Sequence, residues 1–409
     1  MDRLRIIVQK FGGTSVSTAQ NRAEVVKKIK EALARGFRVA VVVSAMGRNG
    51  DPYATDSLIN LARRIHPQLK PRELDLLMAC GENISTSVMV GTLEAAGLEA
   101  LSFTGQAAGF ITDANFNNAR IKEMKPDAVR RCLEQGKIAV VAGFQGATPD
   151  GEITTLGRGG SDTSAVALGV ALQAEVVEIY TDVEGVLTAD PRLVPGAKPL
   201  ETMTYSEVCE MAYLGAKVVH PRAVEIGMEG RIPIRILSTF SDAPGTLITD
   251  GQSIGSIEIR SDKVVTGLAQ IADVAQIKII SKNDMNQDGL ALEVFQRMAN
   301  AGISVDMIQV SPHRIAVIVQ ENLYEKALEV LEPMRLTIAG DQGFAKVSVV
   351  GAGMRGVPGV MARVVQSLFM AGIPIFQSTD SHTNISCLVR REDMPKALQA
   401  LHKEFHLGE

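Results

Sequence analysis

The chain has 409 residues, of which 46% are hydrophobic and 22% are charged, and its formal net charge is −4. This length exceeds one ordinary hydrophobic core, so we expect a soluble globular protein of two or three domains. The weak net acidity, without any block of like charges, argues against a general attraction to nucleic acid or to anionic lipid. Small-molecule chemistry is therefore the favoured class of function.

The cysteines and the N-terminus limit the cellular context. Four cysteines lie far apart: Cys80, Cys132, Cys209 and Cys387. Without CxxC or Cys/His pairing they predict reduced structural thiols rather than a zinc site or disulfides. The charged start MDRLRIIVQKF predicts no signal peptide, and no apolar stretch approaches the roughly 20 residues that a membrane span needs. We expect a cytoplasmic protein.

From residue 4 to about residue 248, short Val- and Ile-rich runs alternate with helical patterns. The runs that predict buried strands are LRIIVQK, RVAVVVSAM, KIAVVAGF, VVEIYTD and IPIRILS. Between the first two, the pattern predicts an amphipathic helix with Ser17 as its N-cap and Gly36 as its C-terminal stop. The alternation predicts an α/β fold with a mainly parallel sheet covered by helices on both faces. Binding loops should lie at the carboxyl ends of its strands.

After a first domain of residues 1–250, a Ser-, Asp- and Gly-rich stretch predicts a linker at residues 251–263. Beyond it the chain repeats itself. GLALEVFQRMANAGI and GVMARVVQSLFMAGI lie 70 residues apart, and the same offset relates RIAVIV to NISCLV and KALEVL to KALQAL. The repeat predicts two βαββαβ modules, residues 264–340 and 341–409, with the last residues able to return to the first module.

A GxGxxG pattern in the second module raises the alternative of a dinucleotide-binding dehydrogenase. Gly351, Gly353 and Gly356 follow the strand-like run VSVV. A Rossmann unit needs an acidic residue about 20 residues further on, but Ala371 stands there and Asp380 comes nine residues late. The first copy of the repeat has NDMNQD in place of GAGMRG, so the module does not need these glycines. We therefore disfavour a dehydrogenase.

Two glycine-rich stretches of the first domain follow predicted strands or lead into a helix, and both carry charged residues. In KFGGTS the glycines allow backbone N–H groups to approach phosphate oxygens, while Lys10 supplies a positive charge. In GRGGSDTSA, Arg158 offers a planar fork for a carboxylate where a helix begins near Ser161. Asp162 is able to orient a lysine ammonium or a substrate amine. The plain structural alternatives are a tight turn and a simple helix cap.

A third stretch, YTDVEGVLTADPR, ends a strand at Thr181 and Asp182. It could cradle a nucleotide or be merely solvated. Further on, Lys217 follows a helical pattern, a position where a lysine is more often a surface residue. His220 precedes a proline and is interpreted as structural.

Six stretches, in this order and spacing, resemble the motifs of aspartate kinases in the amino-acid kinase family: KFGGTSV, VVSAMG, CGENIS, GRGGSDTSA, TDVEGVLTADPR and GAKVVHPRAVE. The resemblance covers essentially the whole chain, because these enzymes end in two ACT domains with the βαββαβ pattern. It implies an amino-acid kinase fold followed by two ferredoxin-like ACT domains. The implied reaction moves the γ-phosphoryl group of MgATP to the β-carboxylate of L-aspartate. The product, 4-phospho-L-aspartate, begins lysine, diaminopimelate, threonine and methionine synthesis.

The resemblance also implies residue roles. Lys10 would neutralise charge between the attacking carboxylate and the γ-phosphate, and Asp162 would orient Lys10. Residues implied for aspartate are Ser44, Thr55, Glu82, Arg158, Gly160 and Ser161, with Glu82 on the α-ammonium and Arg158 on the α-carboxylate. Residues implied for ATP are Lys10, Phe11, Gly12, Gly13, Thr181, Asp182, Leu187, Arg192, Lys217 and Val218. No metal-binding side chains are expected, because Mg²⁺ would be held mainly by the ATP phosphates and water.

ACT pairs of this family associate between subunits and bind an amino acid, which implies a homodimer or larger assembly inhibited by lysine, threonine or diaminopimelate. The segment PIFQSTDSHTNI resembles the diaminopimelate-sensitive type. NQDGLA has Asp288 where the family often has proline, which leaves the effector preference of the first module open. Expected effector-binding residues are Asn283, Asp288, Gly289, Met307, Gln309, Met354, Val357, Pro358, Gly359, Gln377, Thr379 and Asp380.

The chemistry of the reaction agrees with these residues. A carboxylate is already a nucleophile at neutral pH, so alignment and charge neutralisation suffice without a general base. The chain has neither GxxxxGK[ST] nor the HRD and DFG set of protein kinases. Two alternatives remain open: a kinase for the γ-carboxylate of glutamate, and a non-catalytic amino-acid sensor that keeps a dead kinase domain. The joint presence of Lys10, Arg158, Asp162 and Asp182 weighs against the sensor.

Overall fold

A computed structural model describes residues 4–216, 218–250, 264–280, 287–311, 314–334, 336–354 and 356–409, without the side chains of residues 287 and 288. These residues form two compact units. The first unit holds residues 4–186, 199–212 and 218–250. The second unit holds residues 187–198, 213–216 and the described residues from 264 onward.

The first unit alternates strands and helices. Its strands are β1 (Ile6–Phe11), β2 (Arg38–Val43), β3 (Ala100–Phe103), β4 (Phe110–Thr112), β5 (Ile121–Met124), β6 (Ile138–Ala142), β7 (Gln145–Ala147), β8 (Ile153–Thr155), β9 (Val176–Thr181), β10 (Thr202–Thr204), β11 (Ile234–Ser238) and β12 (Thr246–Thr249). Its helices are α1 (Gly13–Ser17), α2 (Ala19–Ala34), α3 (Thr55–Ile65), α4 (Pro71–Ala95), α5 (Gly105–Ala108), α6 (Asp127–Glu134), α7 (Gly160–Leu172), α8 (Tyr205–Tyr213) and α9 (Pro221–Glu229). The five strands predicted from Val- and Ile-rich runs are β1, β2, β6, β9 and β11.

Eight of these strands form one sheet in the order β10-β12-β11-β9-β1-β2-β6-β3. Neighbouring strands are parallel throughout, except that β11 and β12 are antiparallel. The predicted mainly parallel sheet is therefore confirmed. A smaller sheet has the order β5-β4-β7-β8. Because β1, β2 and β9 run in one direction, the loops that follow them leave from the same edge of the large sheet.

The central strands bury side chains on both faces of the sheet. On one face Ile7 and Val41 belong to a core that includes residues of α2 and α4. On the other face α7 lies so close that a Cβ on Gly169 would be 2.4 Å from Val177 and 3.7 Å from Val8. Burial on both faces explains why these strands appear in the sequence as continuous apolar runs rather than alternating ones.

Helix α2 begins one residue later than predicted. Thr18, not Ser17, is the N-cap, and its hydroxyl accepts a hydrogen bond from the N–H of Asn21 at 3.1 Å. Ser17 instead ends the short helix α1, which the sequence pattern did not reveal. The predicted stop is confirmed, because Gly36 follows the helix with φ +83°, a conformation that glycine adopts without strain.

Helix α4 is the one described helix whose length and composition would allow it to cross a membrane. The sequence analysis did not single this helix out, because charged and polar residues interrupt its apolar ones. The helix buries two acidic residues, Asp75 and Glu82, among its apolar ones. A single helix of this kind is weak evidence for a membrane span, because the core helix of a soluble protein has the same length and composition.

The second unit has six strands and four α-helices among its described residues. They are β13 (Gly267–Ile280), α10 (Gln287–Asn300), β14 (Asp306–Ser311), β15 (Arg314–Gln320), α11 (Tyr324–Leu331), β16 (Thr337–Val350), α12 (Val360–Met370), β17 (Gln377–Asp380), β18 (Asn384–Arg390) and α13 (Met394–Glu404). Strands β15 and β18 begin 70 residues apart, as do α11 and α13. The repeated βαββα order of the two predicted modules is confirmed, but no strand follows α13 among the described residues of the second module.

The two modules share their central strands in one antiparallel sheet of order β14-β15-β13-β16-β18-β17. Residues 274–280 of β13 pair with β15, whereas residues 267–271 pair with the second half of β16. The fourth strand of the second module thus comes from the start of β13 and not from a segment after α13. Phe405 and Leu407, near the end of the chain, lie in the core of the second module.

The GxGxxG pattern lies in the turn between β16 and α12. Both neighbours of β16 are antiparallel to it, so no parallel Rossmann unit forms there. A Cβ on Gly351 would lie 2.3 Å from the carbonyl oxygen of Val264. This glycine is therefore required by close packing of two backbone segments, which explains part of the pattern without a dinucleotide.

Candidate active site

The glycine-rich loop after β1 and the start of α7 come together through an ion pair. The Nζ atom of Lys10 lies 2.7 Å from Oδ1 of Asp162, and the two side chains are only 12% and 14% exposed. Lys10 is near the end of β1, and Asp162 is in the first turn of α7. Two residues far apart in the sequence therefore form one charged pair at the carboxyl edge of the sheet.

The two glycines after Lys10 allow close backbone approach. A Cβ on Gly13 would lie 2.6 Å from the carbonyl oxygens of both Ala45 and Gly47, in the loop after β2. A Cβ on Gly12 would lie 3.7 Å from the Lys10 ammonium. Only a residue without a side chain fits at Gly13, so the loops after β1 and β2 touch through their backbones.

Phe11, one of the residues expected to bind ATP, has its side chain elsewhere. Its ring is fully buried and stacks on Tyr180 with centroids 4.7 Å apart, in the core on the α2 face of the sheet. Only its backbone is therefore available to a ligand at the strand end.

Glu82 is a buried acid whose two carboxylate oxygens differ in their hydrogen bonding. Its side chain is on α4 and is 2% exposed, and Oε1 accepts a hydrogen bond from the N–H of Ala45 at 3.1 Å. Oε2 has no hydrogen-bond partner among the described residues. Burial raises the pKa of Glu82 to about 8. A cation beside Oε2 would remove the cost of ionising this carboxyl.

Ser44 and Thr55 lie on segments that pack against the same turn of α4. Ser44 follows β2, and its N–H donates to the Phe11 carbonyl at 3.1 Å. Thr55 is the first residue of α3. A Cβ on Gly81, next to Glu82, would lie 2.9 Å from Ala45 and 3.0 Å from the carbonyl oxygen of Tyr53. Gly81 thus lets the segments that carry Ser44 and Thr55 approach Glu82.

Arg158 lies in an exposed loop between two glycines in the left-handed conformation, Gly157 (φ +73°) and Gly159 (φ +66°). The guanidinium has no hydrogen bond or ion pair with any residue that the structure describes. Gly159 is the N-cap of α7 and supplies no side-chain cap, so the simple side-chain cap does not occur here. Gly160 and Ser161 are buried in the first turn of the helix. The fork of Arg158 is free to bind an anion.

The loop after β9 contacts the loop after β2 through a residue that the sequence analysis missed. Arg48 donates from Nη2 to Oδ2 of Asp182 at 2.6 Å and from Nε to the hydroxyl of Thr14 at 3.0 Å. Partial burial would raise the pKa of Asp182, but hydrogen bonds from Thr181, from its own backbone and from Arg48 lower it below its ordinary value. The only sequence signal for Arg48 was its place directly after the motif VVSAMG.

The other residues expected to bind ATP are less informative. Leu187 and Arg192 belong to the second unit. There Arg192 forms a two-armed pair with Asp190, at 3.0 and 2.7 Å, and its hydrogen bonds hold the pKa of Asp190 below the ordinary value. Lys217 lies outside the described residues, and Val218 is half-buried.

His220 has a structural role next to the loop that carries Arg158. It is the N-cap of α9, and its ring Nδ1 accepts a hydrogen bond from the N–H of Arg222 at 3.3 Å. The ring packs against Gly159, where a Cβ would come within 2.2 Å. Burial and the charge of Arg222 lower the pKa of His220, so the ring stays neutral at physiological pH. These contacts support its interpretation as structural.

Several residues expected to bind an effector are described in the second unit. Gln377, at the start of β17, is buried and donates to the carbonyl of Met307, while its Oε1 accepts from Gln276 at 2.7 Å. Met307 and Gln377 occupy equivalent positions in the two modules. Asn283 lies outside the described residues, as does the side chain of Asp288.

The remaining expected positions differ in burial. Met354 is buried and Thr379 half-buried, whereas the other members are exposed: Gly289, Gln309, Val357, Pro358, Gly359 and Asp380. In the part of the chain that the structure describes, no group of three or more His, Cys, Asp or Glu side chains could hold a metal ion.

Comparison with known proteins settles the family. The chain matches the amino acid kinase family over residues 5–238 and the ACT domain over residues 277–333 and 340–403. Aspartokinase 1 of Bacillus subtilis (strain 168) is 50% identical over 407 residues, which cover 99% of this chain and 100% of that protein. The chain belongs to the aspartokinase family.

Solved aspartokinases have the same fold. Aspartokinase III of E. coli in complex with aspartate and ADP, described as the R-state, is 26% identical with a TM-score of 0.77. The complex of E. coli aspartokinase III with lysine and aspartate, described as the T-state, is 27% identical with a TM-score of 0.76. Each comparison covers 98% of this chain and 99% of the solved chain. The expected amino-acid kinase fold followed by two ACT domains is therefore confirmed.

Membership of the family gives the reaction. This aspartokinase is a phosphotransferase that moves the γ-phosphoryl group of ATP to the β-carboxylate of L-aspartate, forming 4-phospho-L-aspartate for amino-acid biosynthesis. The glutamate-type kinase, the non-catalytic sensor and the dehydrogenase are accordingly set aside.

Proposed function

We propose that aspartate and MgATP react at the carboxyl edge of the large sheet, between the loops after β1, β2 and β9 and the start of α7. The observation that carries the proposal is Glu82, a buried acid with one oxygen that has no partner in the described part of the chain. Its neighbour Ala45 is also the residue against which Gly13 packs. The buried acid and the glycine-rich loop therefore adjoin the same short segment after β2.

Aspartate presents three charged groups, and the site offers complementary charges. Glu82 would pair with the α-ammonium through Oε2, since an amine there satisfies the buried carboxylate. Arg158 would hold the α-carboxylate with its free fork. The side chains and backbone of a further four residues would line the pocket: Ser44, Thr55, Gly160 and Ser161.

The attacking β-carboxylate needs no general base, because it is ionised at neutral pH. Lys10 would stabilise the negative charge shared by this carboxylate and the γ-phosphoryl group, and Asp162 would hold the Lys10 ammonium in place. The backbone N–H groups of Gly12 and Gly13 would donate to phosphate oxygens. Alignment and charge neutralisation are then the whole contribution of the protein to the chemical step.

The nucleotide would lie beside the loop after β9. Thr181, Asp182, Val218 and the backbone of Phe11 would contact it. Leu187 and Arg192, in the second unit, and Lys217, outside the described residues, stay predictions from the family resemblance. Mg²⁺ would arrive with ATP, because Mg²⁺ is commonly bound by substrate phosphates and waters with few protein ligands. The carboxylates of Asp162 and Asp182 already have cationic partners in Lys10 and Arg48.

The ACT modules would bind an amino-acid effector and inhibit the kinase. The E. coli complex with lysine supports an amino acid as effector, and we propose lysine, threonine or diaminopimelate for this chain. The effector residues would be the set expected from the sequence, around the Gln377–Met307 contact. A differential affinity of about 1–3 kcal/mol between two states of the enzyme would suffice for inhibition.

The assembly and location follow from the same family pattern. We propose a homodimer or larger oligomer formed through the ACT modules, in the cytoplasm. The proposed domains are residues 1–250 for the kinase, 251–263 for the linker, and 264–340 and 341–409 for the ACT modules.

The test is ADP release from MgATP in the presence of L-aspartate, L-glutamate or neither, with hydroxylamine to trap the acyl phosphate. We expect ADP release and hydroxamate formation only in the reaction that contains aspartate, and not with glutamate or without an acceptor. Release with glutamate but not aspartate, or no turnover by the folded protein, would contradict the proposal. Repeating the assay with lysine, threonine and diaminopimelate, singly and in pairs, tests the regulation, and an unchanged rate in every case would refute it.

A further inference from the structure

The loop that carries Arg158 is free at its tip but fixed at its base by a buried carboxylate, Asp75 of α4. The Oδ2 atom of Asp75 accepts a hydrogen bond from the N–H of Thr155 at 2.8 Å, and Oδ1 accepts from the Thr155 hydroxyl at 2.6 Å. The N–H of Asn117 also donates to this carboxylate, at 3.0 Å. Asp75 is fully buried and has no ion pair within the described ranges.

An arginine of α9 fixes the next residue of the loop. Arg222 donates from Nη1 to the carbonyl oxygen of Leu156 at 2.8 Å and to that of Ala119 at 3.3 Å. Its Nη2 atom donates to Oδ1 of Asn118 at 3.1 Å. Leu156 directly follows Thr155. An acidic side chain of α4 and a basic side chain of α9 therefore form hydrogen bonds to two consecutive residues.

The turn at residues 117–119 contacts both Asp75 and Arg222. The N–H of Ala119 donates to the Thr155 carbonyl at 2.9 Å. A Cβ on Gly157 would lie 2.9 Å from Oδ1 of Asn118. Asp75 and Arg222 each contact both this turn and the strand end at residues 155–156, which lies two or three residues before Arg158.

The hydrogen bonds at the base of the loop matter because the loop that carries Arg158 is itself flexible. Gly157 and Gly159 both have positive φ, and glycine loses more conformational entropy on ordering than any other residue. The Arg158 side chain has no partner of its own among described residues to fix it. Its direction therefore depends on how rigidly the ends of the loop are held, and a rigid loop binds its ligand at a lower entropic cost.

We propose that Asp75 and Arg222 are positioning residues, which hold the loop so that Arg158 meets the α-carboxylate of aspartate. The inference rests on the proposed role of Arg158. Neither residue touches the substrate in this scheme. Both act on aspartate binding through the backbone of residues 155 and 156.

The sharpest test changes one hydroxyl. Thr155→Val keeps the shape of the side chain and removes the donor to Asp75, whereas Thr155→Ser keeps the donor. We expect Thr155→Val to raise the KM for aspartate by about tenfold, given that small displacements of binding groups cost large factors, while the KM for ATP changes little. Thr155→Ser should restore most of the affinity. Arg222→Lys, which cannot reach three acceptors in a planar fork, should act like Thr155→Val.

A double-variant comparison separates positioning from general structural support. In an Arg158→Ala background, Thr155→Val should raise the KM for aspartate no further, because the residue being positioned is gone. A further rise in that background, an equal rise in the KM of both substrates, or an unchanged KM in folded variants would each overturn the inference. The Thr155 and Arg222 variants test the positioning role even if the direct variant, Asp75→Asn, does not fold. Wild-type protein without aspartate kinase activity would refute the proposed function instead.

Discussion

Lys10 and Asp162 are separated by most of the first unit in sequence, yet their charged atoms lie 2.7 Å apart in a largely buried pair. The pair connects the end of β1 to the first turn of α7. A lysine held in this way has lost most of its freedom before any substrate binds. Its charge can therefore stabilise a transition state without the cost of reorganisation during the reaction.

Lys10→Ala should reduce turnover to a small residual rate and leave the fold intact. Removing a preorganised charge of this kind typically costs on the order of 100- to 1,000-fold in kcat. Asp162→Ala should lower kcat less, because the cation remains but is no longer held. The double variant should be no worse than Lys10→Ala alone. Hydroxamate formation measures activity, with circular dichroism as the folding control, and near-normal activity of folded Lys10→Ala would remove Lys10 from the proposed mechanism.

Glu82 should make stability depend on pH. Burial raises its pKa from 4.5 to about 8, so the folded state binds this proton more tightly than the unfolded state does. Its contribution to stability is therefore complete below about pH 4.5 and is lost as the pH rises through about 8. Glu82→Gln cannot titrate. Wild type should lose Tm relative to Glu82→Gln between about pH 5 and about pH 9; a constant difference would show that this carboxyl does not titrate as expected.

The same carboxyl should set the pH dependence of aspartate binding. The substrate ammonium favours ionised Glu82, so the KM for aspartate should fall as the pH rises toward about 8. Glu82→Gln should have a higher KM for aspartate and should lose this part of the dependence. Steady-state kinetics at saturating ATP provide the measurement, and identical KM profiles for the two proteins would argue against the contact between Glu82 and the α-ammonium.

Gly13→Ala should inactivate the enzyme by steric conflict. Its Cβ would lie 2.6 Å from two carbonyl oxygens of the loop after β2, and overpacking of this kind costs roughly 1–3 kcal/mol. Gly91→Ala is the matched control, because Gly91 is exposed in α4 and its Cβ would meet no atom within 4 Å. That change should stabilise by about 0.5–1 kcal/mol. Equal stability and activity of the two variants would be inconsistent with the close approach at Gly13.

Arg48→Ala should raise the KM for ATP more than it changes stability. The pair of Arg48 with Asp182 is half-exposed, and exposed pairs contribute at most about 1 kcal/mol. Without Arg48, Asp182 loses an ionic contact that fixes it in the loop after β9, beside which we propose that the nucleotide binds. Arg5→Ala is the control, since Arg5 forms a similarly exposed pair with Glu175 at the opposite ends of β1 and β9. A higher KM for ATP in both variants, or in neither, would count against a local role for Arg48.

The four thiols should differ in reactivity. Cys80 is exposed, whereas burial raises the pKa of Cys132, raises that of Cys209 to about 11 and raises that of Cys387 to about 12. A thiol reagent at about pH 8 should therefore modify one cysteine quickly in the native enzyme and all four after denaturation. Cys80→Ser should remove the fast phase. A second fast thiol in the native protein would show that Cys209, which is half-buried, or one of the two buried cysteines is more accessible than the structure indicates.

The sequence predicts those features that depend on local composition. Runs such as RVAVVV predict buried parallel strands because both faces of the sheet are covered. The 70-residue offset predicts the paired modules because equivalent helices and strands keep equivalent residues. Ser17 was the wrong N-cap because Ser and Thr are both favoured caps and stand side by side here. Only the unforeseen helix α1, which ends at Ser17, makes Thr18 the N-cap of α2.

The sequence does not reveal contacts between side chains that lie far apart in the chain. The sequence analysis did not single out Asp75, yet this residue is fully buried and holds a strand end 80 residues later in the chain. Arg48 has no local signal for its contact with Asp182. Arg192 was expected to bind ATP, but it is paired with Asp190 in the second unit. Such partners are determined by tertiary packing, which residue patterns do not encode.

The sharing of β13 and β16 between the ACT modules makes the pair inseparable during synthesis as well as in the finished protein. Residues 267–271 leave the ribosome before the first module, but the strand with which they pair is the second half of β16. A fragment that ends before β16 would carry an unpaired strand edge, which invites pairing with other chains. We therefore expect single-module fragments to aggregate, and the nascent chain to complete neither module until the residues of β16 have emerged.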